Sequence, residues 1–335
     1  MIPLESFLPQ GEAVSALIQQ ARENRMTHGL LISGEAGVGK WSLAWSLAAA
    51  LLCENPDAGV KPCGKCKACM EVAALTHPDL IVLRKGEHLD PAAEAKTVIP
   101  VDDIKAMIGM VSLQGFQGNK HIVIIRHAED MNQAAQNKLL KTLEEPPEGT
   151  HFLLTCVNAD QLLPTIVSRC RPLKMHPWGD RDVMRVLTEN GIDSARAQQA
   201  ALDAGGSFGK GLRIAGDEEY WHFREEVIQD FLGGSSRSGI LKVSTKWKDR
   251  KDEAEAIFTV LDQCFSRMAH RRLGLGSTGA ALPPPWEKFS QRAELPDFIK
   301  LNEALTLARK RVRSQVQFQT VIEQLILTLM EAVDK

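Results

Sequence analysis

Two groups of residues in this chain have the types and spacing to do chemistry. The first is Gly34-Glu35-Ala36-Gly37-Val38-Gly39-Lys40, set between an apolar pentad, Gly29 to Ser33, and an apolar stretch from Trp41 to Leu52. Strand, glycine-rich turn and helix in that order build a phosphate-binding loop. Glycines let backbone N–H groups turn inward, the helix N-terminus adds partial positive charge, and the lysine reaches the outer phosphates. Gly34, Gly37, Gly39 and Lys40 are therefore the expected nucleotide-binding residues; a glycine-rich turn without a ligand is the alternative.

Two positions oppose hydrolysis at that loop. The residue after the lysine should be Ser or Thr, whose hydroxyl ligates Mg²⁺, yet here it is Trp41, and Ser42 lies one helical position (about 100° of rotation) away. The strand-like run His121 to Ile125 should end in an acidic pair that holds metal and activates water, but it ends in Arg126-His127. A cation where a metal belongs repels the metal. Glu129 and Asp130 follow and read as a solvated turn. The chain is expected to bind ATP or ADP weakly or not at all, and not to hydrolyse it.

The second group is Cys63, Cys66 and Cys69 with Cys53 upstream, four thiols within residues 53 to 69. Thiolates at this spacing converge on one ion only through tight turns, which Pro62 and Gly64 suit. Four thiolates close the tetrahedral sphere of Zn²⁺, so the cluster predicts a structural zinc site with no catalytic role. A redox Cys-x-x-Cys pair and unmetallated thiols are the alternatives, and His77 could replace Cys53 as fourth ligand. Cys156 and Cys264 read as core residues in a strand and a helix.

Positioning these residues requires alternating elements. Helical spacing at Glu12 to Asn24, Trp41 to Leu52, Val101 to Val111 and Asn132 to Glu145 alternates with strand-like runs at Gly29 to Ser33, Leu80 to Leu83, His121 to Ile125 and Phe152 to Cys156. That alternation predicts a mainly parallel sheet covered on both faces. After Pro172 no strand is expected. Asp180 to Asn190 and Ser194 to Ala204 read as helices, Gly205 to Gly211 as a turn, and helices dominate from Glu218, broken near Gly233 to Ser238 and Gly274 to Pro285. Val316, Ile322, Leu325, Ile326, Leu329 and Met330 form an apolar stripe along a last helix.

The run Asn137-Lys138-Leu139-Leu140-Lys141-Thr142-Leu143-Glu144-Glu145-Pro146-Pro147, then Phe152-Leu153-Leu154-Thr155 and Ser168-Arg169-Cys170, closely resembles the AAA+ subunits of bacterial sliding-clamp loaders. The cysteine insertion after the phosphate-loop helix also matches that family. The resemblance covers residues from about 10 to 215 by motif, and the remainder by order only. It implies an AAA+ domain over residues 1–175 with a zinc-binding insertion at 53–69, a small helical lid over 176–217, and an all-α C-terminal collar over 218–335. The damaged nucleotide motifs look like a hydrolysis-deficient ring member rather than the loader's ATPase subunits, gamma and tau. In this family Ser-Arg-Cys supplies an arginine finger to a neighbour's ATP site, and Arg169 matches it; a structural ion pair is the alternative. Thr155 matches the sensor 1 position, and Gly209 stands where active relatives carry the sensor 2 arginine, with Lys210 beside it. The implied partners are the gamma/tau ATPase subunits and the delta subunit of DNA polymerase III, with the sliding clamp and primed DNA reached through the complex.

Bulk properties narrow the rest. A net charge of −2 argues against coating nucleic acid by overall basicity. Lys242 to Lys251 and Arg309 to Arg313 are the densest basic runs, and solvated helix faces are the plainer account of them than DNA contact. No run of eighteen apolar residues or signal-like start is present, and seven cysteines, four of them clustered, suit a reducing compartment, so a cytoplasmic protein with no membrane span is expected. Two rivals remain at this stage: an active clamp-loader-type ATPase with an atypical loop that recruits Ser42, Glu129 or Asp130, and a nucleotide-free docking module built on the zinc loop.

Overall fold

The computed structural model describes residues 3–55, 61–87, 89, 97–113, 120–233, 237–274, 283–314 and 316–334. They form two compact units, one made of residues 1–182 and 206–209, the other of 183–205 and 210–335.

The first unit is built on five parallel strands: β1 (Gly29–Ser33), β2 (Leu80–Leu83), β3 (His121–Ile125), β4 (Thr150–Cys156) and β5 (Arg171–Lys174), in the order β2-β3-β4-β1-β5. β3 is buried along its whole length and β1 at all but its last residue, which is why both read as unbroken apolar runs rather than alternating ones. The unit's helices are α1 (Glu12–Arg22), α2 (Lys40–Leu52), α3 (Lys67–Ala73), α4 (Val101–Val111), α5 (Gln133–Glu144) and the one-turn α6 (Pro164–Val167). One sheet face receives Ile104 and Met107 of α4 and Leu139 and Leu143 of α5. α2 packs against β1, β3 and β4, with seven consecutive positions from Ser46 to Leu52 buried.

The expected elements stand where the periodicity put them, and three further elements, β5, α3 and the one-turn α6, were not expected. β5 was not expected because Pro172 sits in its middle, and a proline cannot donate a ladder bond. The strand pairs only with β1, at the sheet edge, where the missing donor costs least. α3 lies inside the cysteine cluster, where only turns were expected.

The second unit is all-helical among the described residues. It takes α7 (Asp180–Glu189) from Val183, α8 (Ser194–Ala204), α9 (Phe208–Gly216) from Lys210, α10 (Glu218–Leu232), α11 (Arg237–Trp247), α12 (Ala254–Arg272), α13 (Pro284–Arg292), α14 (Leu295–Arg313) and α15 (Phe318–Asp334). Gly205 to Gly211 was expected to be a turn. Gly205 and Gly206 do adopt left-handed conformations, but helix resumes at Phe208. Of the turns expected at 233–238 and 274–285, residues 234–236 and 275–282 lie outside the described residues; Gly233 and Gly274 follow α10 and α12, and the far ends belong to α11 and α13. Trp247, Phe258, Leu261 and Leu305 centre the core. Ile322, Leu325, Ile326 and Leu329 of the apolar stripe are buried in it, whereas Val316 precedes α15 and is exposed.

A buried carboxylate ties three of these helices together. Asp203 of α8 has no exposure and pairs with Arg224 of α10 at 2.8 Å and Arg267 of α12 at 2.9 Å, while the Tyr220 hydroxyl donates to it at 3.1 Å. Nearby, two basic residues of the Lys242–Lys251 run are paired with carboxylates. Lys246 pairs with Glu226 and Asp230, and Arg250 with Glu226 and Glu253. Arg309 pairs likewise with Glu255. These contacts fit the solvated-face account of the basic runs. Removing one partner of a buried ion pair strands the others, at a cost of about 3 kcal/mol or more. Asp203→Ala should therefore lower unfolding free energy by about that amount in urea denaturation, with amide exchange rising first in α8, α10 and α12.

Candidate nucleotide and metal sites

The phosphate loop joins β1 to α2, and Lys40 is the first residue of that helix, capped by Gly39 in a left-handed conformation. Gly34 can only be glycine here: its φ is +149°, and a Cβ would meet the Met175 carbonyl oxygen at 2.5 Å. The loop is closed over its own lysine. Lys40 is 6% exposed, and its Nζ donates to the carbonyl oxygens of Gly34 at 2.6 Å and Glu35 at 2.7 Å. Burial lowers the lysine pKa, and the nearby Glu129 carboxylate opposes that shift.

Three aromatic rings lie against the loop. A Cβ added at Gly39 would stand 3.3 Å from the Phe7 ring and 3.5 Å from the Phe208 ring. Trp178 packs between them, 5.9 Å from Phe7 and 4.3 Å from Phe208 by ring centroid, and its Nε1 donates to the Val38 carbonyl at 2.8 Å. The Gly209 N–H donates to the Gly37 carbonyl at 3.1 Å, so the residue expected at the sensor 2 position makes a backbone contact with the loop.

The two positions at which a metal ligand was expected, Trp41 and Arg126, contact each other. The Arg126 guanidinium, at the end of β3, lies 5.5 Å from the centroid of the Trp41 ring. The tryptophan and the arginine thus form one cation–π contact, worth about 0.5–2 kcal/mol. The residues present do not fit a Mg²⁺-bound nucleotide.

Glu129 departs from the expected solvated turn. Its side chain is 11% exposed, and Oε1 accepts the Val157 N–H at 2.8 Å. A bend through His127, in a left-handed conformation, turns it inward. Thr155 is buried near the end of β4, and its hydroxyl accepts the His127 N–H at 3.2 Å. Burial pushes the Cys156 thiol up to about 11 and the Cys170 thiol up to about 12, as expected of packing residues.

Arg169 follows α6, and the segment leading to that helix is tied to α5 by buried Gln136, whose Oε1 accepts the Leu163 N–H at 2.9 Å. Its Nη1 donates to the Thr165 carbonyl at 3.0 Å, and its Nη2 pairs with Glu144, the last residue of α5. The side chain keeps 33% exposure.

The cysteines converge. Cys53 ends α2, Cys66 caps the N-terminus of α3 and Cys69 lies in its first turn; the sulfurs of Cys53, Cys63, Cys66 and Cys69 all lie within 4.8 Å of one another. Thiolates about 2.3 Å from a tetrahedral zinc stand about 3.8 Å apart, and the Cys63 and Cys69 sulfurs are separated by 3.9 Å. The Cys66 N–H points at the Cys63 sulfur at 3.3 Å, the Cys69 N–H at the Cys66 sulfur at 3.4 Å, and backbone donors draw the Cys63 thiol down to about 6. Gly64 allows the turn with φ of +69°. The four residues fit a tetrahedral metal such as zinc. Trp45 Nε1, donating to the Val72 carbonyl at 2.8 Å, fastens α3 to α2. His77 is not part of the sulfur cluster; its Nδ1 accepts the Asp79 N–H at 3.1 Å.

A parallel sheet of this order with a phosphate loop after β1 defines a P-loop protein of the AAA+ type. The family model described as "DNA polymerase III, delta subunit" matches residues 9–178, and the chain belongs to that family. It is 44% identical over 143 residues to the DNA polymerase III subunit delta' of Pseudomonas aeruginosa, covering 43% of this chain and 41% of that one. It is 26% identical over 345 residues to the delta' subunit of Bacillus subtilis, covering 96% of each. The DNA polymerase III subunit tau of Escherichia coli is 35% identical over 161 residues, 48% of this chain and 23% of that protein. No helix among the described residues is long and apolar enough to cross a membrane.

Protein purified without chelators should carry one zinc per chain. Cys53→Ser should weaken zinc retention at least tenfold against a competing chelator, and His77→Ala should leave it unchanged. The reverse pattern in metal analysis would make His77 the fourth ligand.

Proposed function

We propose that this chain is a hydrolysis-deficient member of the DNA polymerase III clamp loader. It would complete the subunit ring and present Arg169 to the ATP site of an adjacent gamma/tau-type subunit. The observation that carries this reading is an asymmetry between the chain's two faces of nucleotide chemistry. At its own loop, Lys40 is satisfied by backbone carbonyls and the metal positions hold Trp41 and Arg126. At the Ser168-Arg169-Cys170 segment, a guanidinium stays partly exposed on a rigid base. A fixed guanidinium stabilises charge developing on a transferred phosphoryl group, an effect worth roughly 10³ to 10⁵ in rate. Similarity to delta' subunits along most of the chain supports the same assignment.

The reading carries with it the division into an AAA+ domain (1–175), lid (176–217) and collar (218–335), a structural zinc, a cytoplasmic location, and contact with the delta subunit, clamp and primed DNA through the assembled loader. A second reading, an ATPase with an atypical loop, draws on the nearly buried Glu129 carboxylate close to Lys40. ATP turnover by the isolated chain that Lys40→Ala abolishes would favour it.

Loader reconstituted with Arg169→Ala should lose hydrolysis at the served site by about 10³-fold or more and load clamps poorly. Unchanged ATPase and unchanged loading would remove the finger assignment.

A further inference from the structure

Arg169 has a fixed backbone. The Arg169 N–H donates to the Ile166 carbonyl at 3.1 Å, Cys170 is buried, and at the start of β1 a Cβ on Gly29 would meet the Arg169 carbonyl oxygen at 3.2 Å. What stays adjustable is the long side chain. It is held by Thr165 and Ser168, the latter's hydroxyl 3.5 Å from Nη1, and by the Glu144 carboxylate at Nη2. A guanidinium has five N–H donors, so three such acceptors leave two for an acceptor outside the chain.

Glu144 occupies an unfavourable place. It is the last residue of α5, where the helix carries partial negative charge, and Glu145 follows it. A carboxylate at that end opposes the helix dipole, and local electrostatics alone would favour a cation there. Departures from a local rule concentrate where a residue serves a site. The last turn of α5 also carries Lys141, but the cation that pairs with Glu144 is Arg169.

We propose that Glu144 is a positioning residue for Arg169: it orients the guanidinium edge-on, so that the two remaining donors face a phosphate of the neighbouring subunit. The proposal rests on the finger reading above. Glu144 does not touch the nucleotide; it limits the rotamers from which Arg169 can reach it. The pair is solvent-accessible, with 33% and 45% side-chain exposure, so its effect is modest.

The test is steady-state ATP hydrolysis by reconstituted loader carrying Glu144→Ala, Glu144→Gln, Arg169→Ala and the Glu144→Ala/Arg169→Ala double substitution. Glu144→Ala should lower kcat by roughly three- to fivefold with KM for ATP unchanged. Glu144→Gln keeps an acceptor oxygen and should recover most of that loss. On the Arg169→Ala background, Glu144→Ala should have no further effect. An equal loss on that background, a higher kcat in Glu144→Ala, or a change confined to KM would overturn the positioning role. Failure of the finger reading has its own signature, an Arg169→Ala loader with normal turnover, and it overturns this proposal as well.

Discussion

A buried ammonium must be surrounded by oxygen, and much of the first unit's phosphate-loop architecture follows from where Lys40 finds it. In a loop open to phosphate, the lysine would reach toward the ligand. Here it turns back onto the carbonyls of Gly34 and Glu35, and the loop wraps around it. Leaving such a group unpaired would cost several kcal/mol, more than any one of the aromatic contacts around it contributes. The aromatic cover and the contacts from Met175, Trp178 and Gly209 are consistent with that closed state, each packing against or bonding to a segment of the loop.

Trp41 and Arg126 are a pair. Trp41 places an indole directly after Lys40, and Arg126 places a cation directly after β3. Placed face to face, each gives the other a partner. The same chain keeps a partly exposed arginine at the other end of its chemistry, and Glu144 neutralises it locally while two donors stay available.

Much of this was legible in the residues. Gly34 to Lys40 between an apolar strand and an apolar helix read as a phosphate loop, and the strand-helix alternation located most of the expected elements to within a residue or two. Cysteine spacing located the four-sulfur cluster, though not the helix that Cys66 caps. What escaped sequence reading depended on distant partners. Pro172 hid β5 because only a sheet edge tolerates it, and the edge exists only once β1 has paired on its other side. Glu129 read as solvated because nothing local reveals that the left-handed turn at His127 directs it inward to the Val157 N–H. Phe7 and Phe208 meet over Gly39 from positions some two hundred residues apart, a contact no periodicity announces.

Equilibrium nucleotide binding to the purified chain, by calorimetry with and without Mg²⁺, tests the central claim most directly. A closed loop with Trp41 and Arg126 at the metal positions predicts no ATP or ADP binding that Mg²⁺ strengthens, and no change on Lys40→Ala. Micromolar, Mg²⁺-dependent binding that Lys40→Ala abolishes would contradict it.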